Sequence, residues 1–355
     1  MRDAVPPTRH DDVVPGLRDG RPRCRGRRVL AVLAALVLVL LLAVGGVVAY
    51  LTSSIGGGIA RIPDAFRGID AGSRPATFGG TTFLLVGTDS RAEAPTTGTD
   101  AAPGVDAGSQ RSDVIMLGTL APDGEHASVV SIPRDSWVDI PGRGMNKINA
   151  AYAFGGAPLL IETVEKLTGV RVDHFGVVDF AGFTSLVDSV GGIDVTVARA
   201  TSNAGVDFRA GENHLDGAQA LAYVRQRYGL PNGDIDRAAR QQNAIKALLA
   251  KVQEKATTDP TALYSFATSV GDAVSVDDSL SNTGLVQLAL ENRNLRGSGV
   301  AFVTAPVAGL GREGAQSVVY LDEQRSAQLW GAIRNGSVAQ YADPNPTEAL
   351  SSTPS

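Results

Sequence analysis

The 355-residue chain holds one cysteine, Cys24, so no internal disulfide can form and no cysteine cluster is available for metal or redox chemistry. Its four histidines, His10, His126, His174 and His214, are scattered without zinc-binding spacing. Neither a phosphate-gripping Gly-x-x-x-x-Gly-Lys loop nor a Gly-x-Ser-x-Gly nucleophile elbow occurs. Gly309-Leu310-Gly311-Arg312-Glu313-Gly314 spells a dinucleotide pattern but leads into Val318-Val319-Tyr320, a strand where that pattern requires a helix, so it reads as a loop. No internal repeat and no helix-turn-helix pattern is present, and aromatic residues make up only 5% of the chain. The common nucleotide, thiol, zinc and serine-hydrolase chemistries are thereby set aside.

What the chain does have first is a 23-residue run without a charge, Val29 to Leu51. At ~1.5 Å per residue it spans a hydrocarbon core about 30 Å thick and exceeds a secretory h-region, which predicts an uncleaved transmembrane anchor. Arg21, Arg23, Arg25, Arg27 and Arg28 precede it, with no comparable basic cluster after it. The positive-inside rule then places residues 1–28 in the cytoplasm as a basic tail and the rest outside the cell membrane. Residues 1–28 carry eight arginines against four aspartates, a net of +4; the whole chain is −5, so the remainder is −9. An acidic exported domain lacks the diffuse positive field that nucleic acid demands.

Beyond the anchor, residues 52–77 read as a linker and 78–340 as one folded domain, large enough to build its core unaided. Residues 341–355, with three prolines and several Ser and Thr, read as a disordered tail. Strands are expected at 81–86, 114–120, 127–132, 174–178 and 193–197, the second and third forming a hairpin about Pro122-Asp123-Gly124. Helices are expected at 158–168 with Gly169 as the stop, 180–190, 215–224, 260–270, 281–293 and 322–335. The longest runs to about 255 and is opened by Asp234 as N-cap. A further strand pair is expected near 299–307 and 317–321. Apolar strands interleaved with helices predict an α/β fold, an α/β/α sandwich around a central mixed sheet.

Arginines and aspartates recur in short clusters: Gly87-Thr88-Asp89-Ser90-Arg91, Arg111-Ser112-Asp113, Pro133-Arg134-Asp135, Arg225-Gln226-Arg227, and Asp234 through Arg237, Arg240 and Gln241. The planar, permanently charged arginine fork matches phosphate oxygens in pairs, and aspartates among the arginines suit a divalent cation bound alongside. On the long helix, Arg237 and Gln241 share a face with Ala244, Ile245, Leu248 and Val252, so both sit on its apolar side near the N-terminus. That placement fits either a structural ion pair or an anion site. Arg225 and Arg227, two apart, point the same way in extended chain and either grip one phosphate or stand solvated. Asp89 and Asp113 flank strand ends, as does Arg134-Asp135; each aspartate is either a turn former or one of several converging carboxylates.

Taken in order, these motifs resemble the LytR-CpsA-Psr family of membrane-anchored cell-wall enzymes over roughly residues 78–255. Matching stretches include Leu84 to Arg91, Arg111-Ser112-Asp113, Ser131 to Asp135, Lys147 to Tyr152, Val178 to Phe183, Ala222 to Arg227, and Gly233-Asp234 with Arg237, Arg240 and Gln241. The resemblance implies a phosphotransferase that moves a glycopolymer, with its first phosphate, from a polyprenyl-pyrophosphate carrier onto a peptidoglycan hydroxyl. Carried over by position, it implies that Asp89 and Asp113 hold Mg²⁺, with Mn²⁺ as the alternative ion. Arg91, Arg111, Lys147, Arg225, Arg227, Arg237 and Gln241 would bind pyrophosphate, and Arg134 and Asp135 would act at the reacting centre. It also implies an apolar tunnel for the prenyl tail. A polyprenyl-pyrophosphate hydrolase and a non-catalytic, membrane-tethered regulator that binds the same lipid are the rival expectations.

Overall fold

The computed structural model describes residues 59–88, 112–231 and 233–354. The expected cytoplasmic tail and anchor lie outside those residues, and among the described residues no helix is long and apolar enough to cross a membrane. The strands are β1 (Ala60–Ile62), β2 (Thr81–Thr88), β3 (Ser112–Leu120), β4 (Ala127–Ser131), β5 (Trp137–Ile140), β6 (Gly144–Lys147), β7 (His174–Asp179), β8 (Ile193–Val197), β9 (Thr201–Asn203), β10 (Val206–Phe208), β11 (Gly211–Leu215), β12 (Val274–Asp277), β13 (Val300–Thr304), β14 (Val307–Glu313) and β15 (Gln316–Leu321). Eight α-helices are described among them. They are α1 (Ile148–Thr168), α2 (Phe180–Ser189), α3 (Gly217–Arg225), α4 (Asp234–Thr258), α5 (Pro260–Ala273), α6 (Asn282–Glu291), α7 (Glu323–Arg334) and α8 (Val338–Ala342).

Seven strands form the central sheet in the order β1-β12-β7-β2-β3-β4-β13. The sheet is mixed: β2 runs parallel to β7 and antiparallel to β3, while β4 runs antiparallel to β3 and parallel to β13. One consequence decides where chemistry can gather. The C-terminal ends of β2, β4 and β7 and the N-terminal end of β3 all emerge at the same edge, with Thr88 opposite both Ser112 and Asp179.

One sheet face is closed. Leu84, Val86, Ile115, Leu117, Val130, Phe175 and Val177 pack there against Leu160, Ile161 and Val164 of α1, with Leu329 and Ile333 of α7 in the same core. Each such burial contributes about 1.5–3 kcal/mol. The period-2 alternation of β2 sends Leu85 and Gly87 to the opposite face, toward α2 and α4. A second core, around Val187, Ile193, Phe208, Tyr223 and Ala244, ties β8 and β11 to α3 and α4.

Several expectations are corrected. Residues 59–77, expected as linker, begin the folded domain. β1 extends the sheet on β12, Arg61 bonds the Leu280 carbonyl and Asn282, and Arg74 forms a buried pair with Glu165 at 2.7 Å. The tail after Tyr341 is held as well: Thr304 N–H bonds the Glu348 carbonyl (2.8 Å), Leu350 N–H bonds the Phe302 carbonyl (3.0 Å), and Ala198 N–H bonds the Pro354 carbonyl (3.0 Å). The first expected helix starts ten residues early, at Ile148, and is kinked by Gly155 and Gly156; the φ of +62° at Gly156 suits only glycine, and Pro158 opens the second limb. Gly233, not Asp234, is the N-cap of α4. The Gly309–Gly314 segment is strand and turn, and it is β14, not β13, that pairs with β15.

Candidate active site

The residues at the shared strand edge are positioned by short-range backbone bonds. After β4 the chain turns through Pro133 to Ser136, where Ser136 N–H and Oγ both bond the Pro133 carbonyl (2.9 and 2.6 Å). The β5–β6 hairpin then brings the chain back, pairing Trp137 with Lys147. Two N–H groups of the first turn of α1, at Ile148 and Asn149, bond the carbonyls of Ser136 (2.8 Å) and Arg134 (3.2 Å), so the turn satisfies donors that a helix start leaves open. Lys147 Nζ thus lies 3.0 Å from Asp135 Oδ1, with Arg134 Nε 3.7 Å from Asp135 Oδ2. These three half-buried charges form one linked group.

Across the cavity, α4 presents Arg237, Gln241, Ile245 and Leu248 along one face, as the helical period requires. Arg237 is only 7% exposed. Arg225 ends α3 with its guanidinium 4.5 Å over the Phe180 ring at the start of α2, and Arg227 stands beside it on the wall of the same cavity. Asp179 caps α2 by accepting the Gly182 N–H at 2.8 Å.

These elements enclose a cavity of about 750 Å³ between the open sheet face and α2, α3 and α4. One part is apolar: Leu85, Met116, Phe183, Leu186, Ile245 and Leu248. The other carries Arg134, Arg225, Arg227, Arg237 and Gln241. Leu85 remains 37% exposed in the middle of a central strand because neighbouring strands place Gly118 and Gly176 against it, removing the side chains that would cover it. Such a cavity suits an elongated apolar molecule with an anionic head.

Of the expected site residues, Arg134, Arg225, Arg227, Arg237 and Gln241 converge on the cavity, and Asp135 and Lys147 pair at its Arg134 side. Asp89, Arg91 and Arg111 lie outside the described residues; Asp113 is the second residue of β3, one after Ser112, which pairs with Thr88. Sequence reasoning gave no role to Phe180, Gln226 or Arg240. Arg240 is completely buried, its guanidinium 4.5 Å from the Tyr223 ring centre. Burial lowers its pKa, opposed by the electrostatic influence of Tyr223 and Asp236. The only signal for these residues was the motif in which they stand.

Comparison with known proteins fits this geometry. The sequence profile of the LytR_cpsA_psr family matches residues 70–335. The cell wall biosynthesis protein LcpA of Corynebacterium glutamicum is 34% identical over 370 residues, covering 90% of this chain and 69% of that protein. The polyisoprenyl-teichoic acid–peptidoglycan teichoic acid transferase TagU of Enterococcus faecalis is 36% identical over 226 residues, 63% of this chain and 73% of that one. The solved structure of TagT bound to LI-WTA shares the fold with a TM-score of 0.56 and 25% identity, across 76% of this chain and 93% of that one. Profile, relatives and mixed sheet with flanking helices agree, and the chain belongs to the LytR-CpsA-Psr family.

Proposed function

We propose that the protein is a membrane-anchored phosphotransferase that moves a cell-wall glycopolymer, with its first phosphate, from a polyprenyl pyrophosphate to a peptidoglycan hydroxyl. The observation that carries the reading is the two-part cavity, an apolar compartment opening onto four arginines. A prenyl chain fits the first part and a pyrophosphate the second. The names of TagU and of the TagT complex support the glycopolymer as cargo and, for TagU, peptidoglycan as acceptor.

In the proposed reaction the acceptor hydroxyl gives up its proton as its oxygen bonds to the phosphorus attached to the sugar, the bond from that phosphorus to the bridging oxygen breaks, and polyprenyl phosphate leaves with the electron pair and takes up the proton. Phosphoryl transfer asks mainly for positioning and charge stabilisation. Arg225, Arg227 and Arg237 hold the pyrophosphate, Gln241 donates to it from the same helix face as Arg237, and Arg91 and Arg111 are assigned to it from their motifs. Arg134 sits nearest the linked charges of Asp135 and Lys147. Asp135 orients those two cations and accepts a hydrogen bond from the incoming hydroxyl.

The donor set also suits a hard divalent cation. The backbone pairs Thr88 with Ser112, the residues that precede Asp89 and Asp113, at the edge where the arginines gather. Mg²⁺ held by those carboxylates would neutralise phosphate charge. The run Val29 to Leu51 would keep the domain beside its lipid donor.

The test is incubation of residues 52–355 with a defined lipid-linked saccharide and peptidoglycan fragments, read by mass. A peptidoglycan product heavier by the saccharide phosphate, together with free polyprenyl phosphate, is the expected result. Polyprenyl phosphate released without a coupled product would indicate a hydrolase, and saturable binding without turnover would indicate a regulator.

A further inference from the structure

We propose that Gln226 and Arg240 form a positioning lock that turns both Arg225 and Arg227 toward the cavity, an inference that rests on reading the cavity mouth as the pyrophosphate site. Helix α3 ends at Arg225, and Gln226 continues in extended conformation with φ −61° and ψ 131°. Successive side chains of extended backbone point to opposite sides. Gln226 is 1% exposed while its two arginine neighbours are exposed and line the cavity. The direction of one side chain therefore sets the direction of the other two.

Gln226 is fixed at both ends of its amide. Its Oε1 accepts from Arg240 Nη1 at 2.7 Å, and its Nε2 donates to the Tyr228 carbonyl at 3.0 Å, closing the turn just past Arg227. Arg240 is fixed in turn, with Nη2 donating to Thr201 Oγ1 at 2.9 Å and its guanidinium packed beside the Tyr223 and Phe208 rings, 4.5 and 5.7 Å from the ring centres. A half-turn of the 225–227 segment would aim both arginines at this packed cluster and Gln226 at the cavity. The bond between Arg240 and Gln226 selects the other orientation, and Phe180 supports Arg225 in it.

Burying a whole guanidinium costs free energy that an apolar residue of similar size would not. A core needing only volume gains nothing from Arg240. A core that has to fix the direction of a neighbouring extended segment gains a rigid, directional donor that reaches Gln226 and Thr201 together.

The experiment measures binding of geranylgeranyl pyrophosphate to residues 52–355 by titration, with thermal melting on every variant. Wild type should bind saturably, and the double variant Arg225→Ala/Arg227→Ala should lose that binding. Gln226→Met, similar in shape but unable to accept from Arg240, should remain folded at room temperature and bind about 10–100-fold more weakly, the penalty of misplaced contacts. Gln226→Glu, which keeps an acceptor for Arg240 but has no donor for the Tyr228 carbonyl, should bind more tightly than Gln226→Met and more weakly than wild type. If Gln226→Met does not fold, Arg240→Lys, which cannot reach Gln226 and Thr201 together, is judged by the same criteria. Wild-type affinity in the folded lock variant, with binding lost in the arginine variant, would overturn the lock and leave the site reading standing. Failure of wild type to bind, or full binding by the arginine variant, would overturn the site reading and the lock with it.

Discussion

The two faces of the central sheet are made from the same strands and do opposite things. On one, Leu84, Val86, Ile115, Leu117, Phe175 and Val177 are sealed under α1. On the other, one residue out of phase, Leu85, Gly87, Val114, Met116 and Val178 border a cavity, with Gly118 and Gly176 leaving Leu85 uncovered. The closed face pays for the open one: a large apolar cavity is tolerated where the reverse side of the same strands is densely packed. Stability and ligand binding should therefore separate by residue parity along β2.

The strongest way to break that contrast is to mutate each face and read both properties. Leu84→Ala should lower stability by about 2–5 kcal/mol, enough to shift the melting temperature by many degrees. A mild effect there would mean the closed face is not the main source of stability. On the open side, Arg237→Ala should weaken lipid-pyrophosphate binding by about 2–5 kcal/mol while the fold persists. If Arg237 served the core instead, its loss would strand a buried partner charge, and calorimetry would record a severe loss of stability.

Leu85→Trp is the next test in size. The added ring has room in the cavity, so melting should stay near wild type while prenyl-pyrophosphate affinity falls about tenfold. Unchanged affinity would remove the apolar compartment from the binding site.

The smallest effect concerns a carboxylate used for structure. Asp277 is fully buried at the end of β12; burial opposes its ionisation, but bonds from His174, Ser279 and the Phe175 N–H outweigh that and lower its pKa. A lowered folded-state pKa contributes stability above the ordinary value of 3.8 and loses it as pH falls through the lower folded value. The melting-temperature gap between wild type and Asp277→Asn should therefore narrow as acid is added below about pH 4. A gap independent of pH would show that the charge of Asp277 contributes nothing.

Long periodic patterns made part of this legible from sequence. The face of α4 that carries Arg237, Gln241, Ile245 and Leu248 follows from a 3.6-residue period, and the apolar runs of β2, β3, β4 and β7 announce themselves. Short polar pieces did not. The four-residue strands β5 and β6 carry no pattern of their own, so the meeting of Lys147 with Asp135 was invisible, although it follows directly from that hairpin. The glycines at 309 and 311 hid β14, since glycine marks loops more often than strands. Arg240 was unreadable for another reason. Its partners Thr201, Phe208, Tyr223 and Gln226 come from separate segments, and only tertiary structure assembles them.

The segment after Asn345 has a consequence for solubility. β13 is the last strand of the sheet, and a bare outer strand offers unpaired N–H and C=O groups to any passing chain, a template for association. Glu348 to Leu350 occupies part of that row, bonding Phe302 and Thr304 and bridging Val303 to Ala349, while the Glu348 side chain is held by Arg325. The last residues thus serve as a built-in guard against strand addition. Shortening the protein before Glu348 would uncover the sticky margin of its sheet, and self-association would appear before any change in the site.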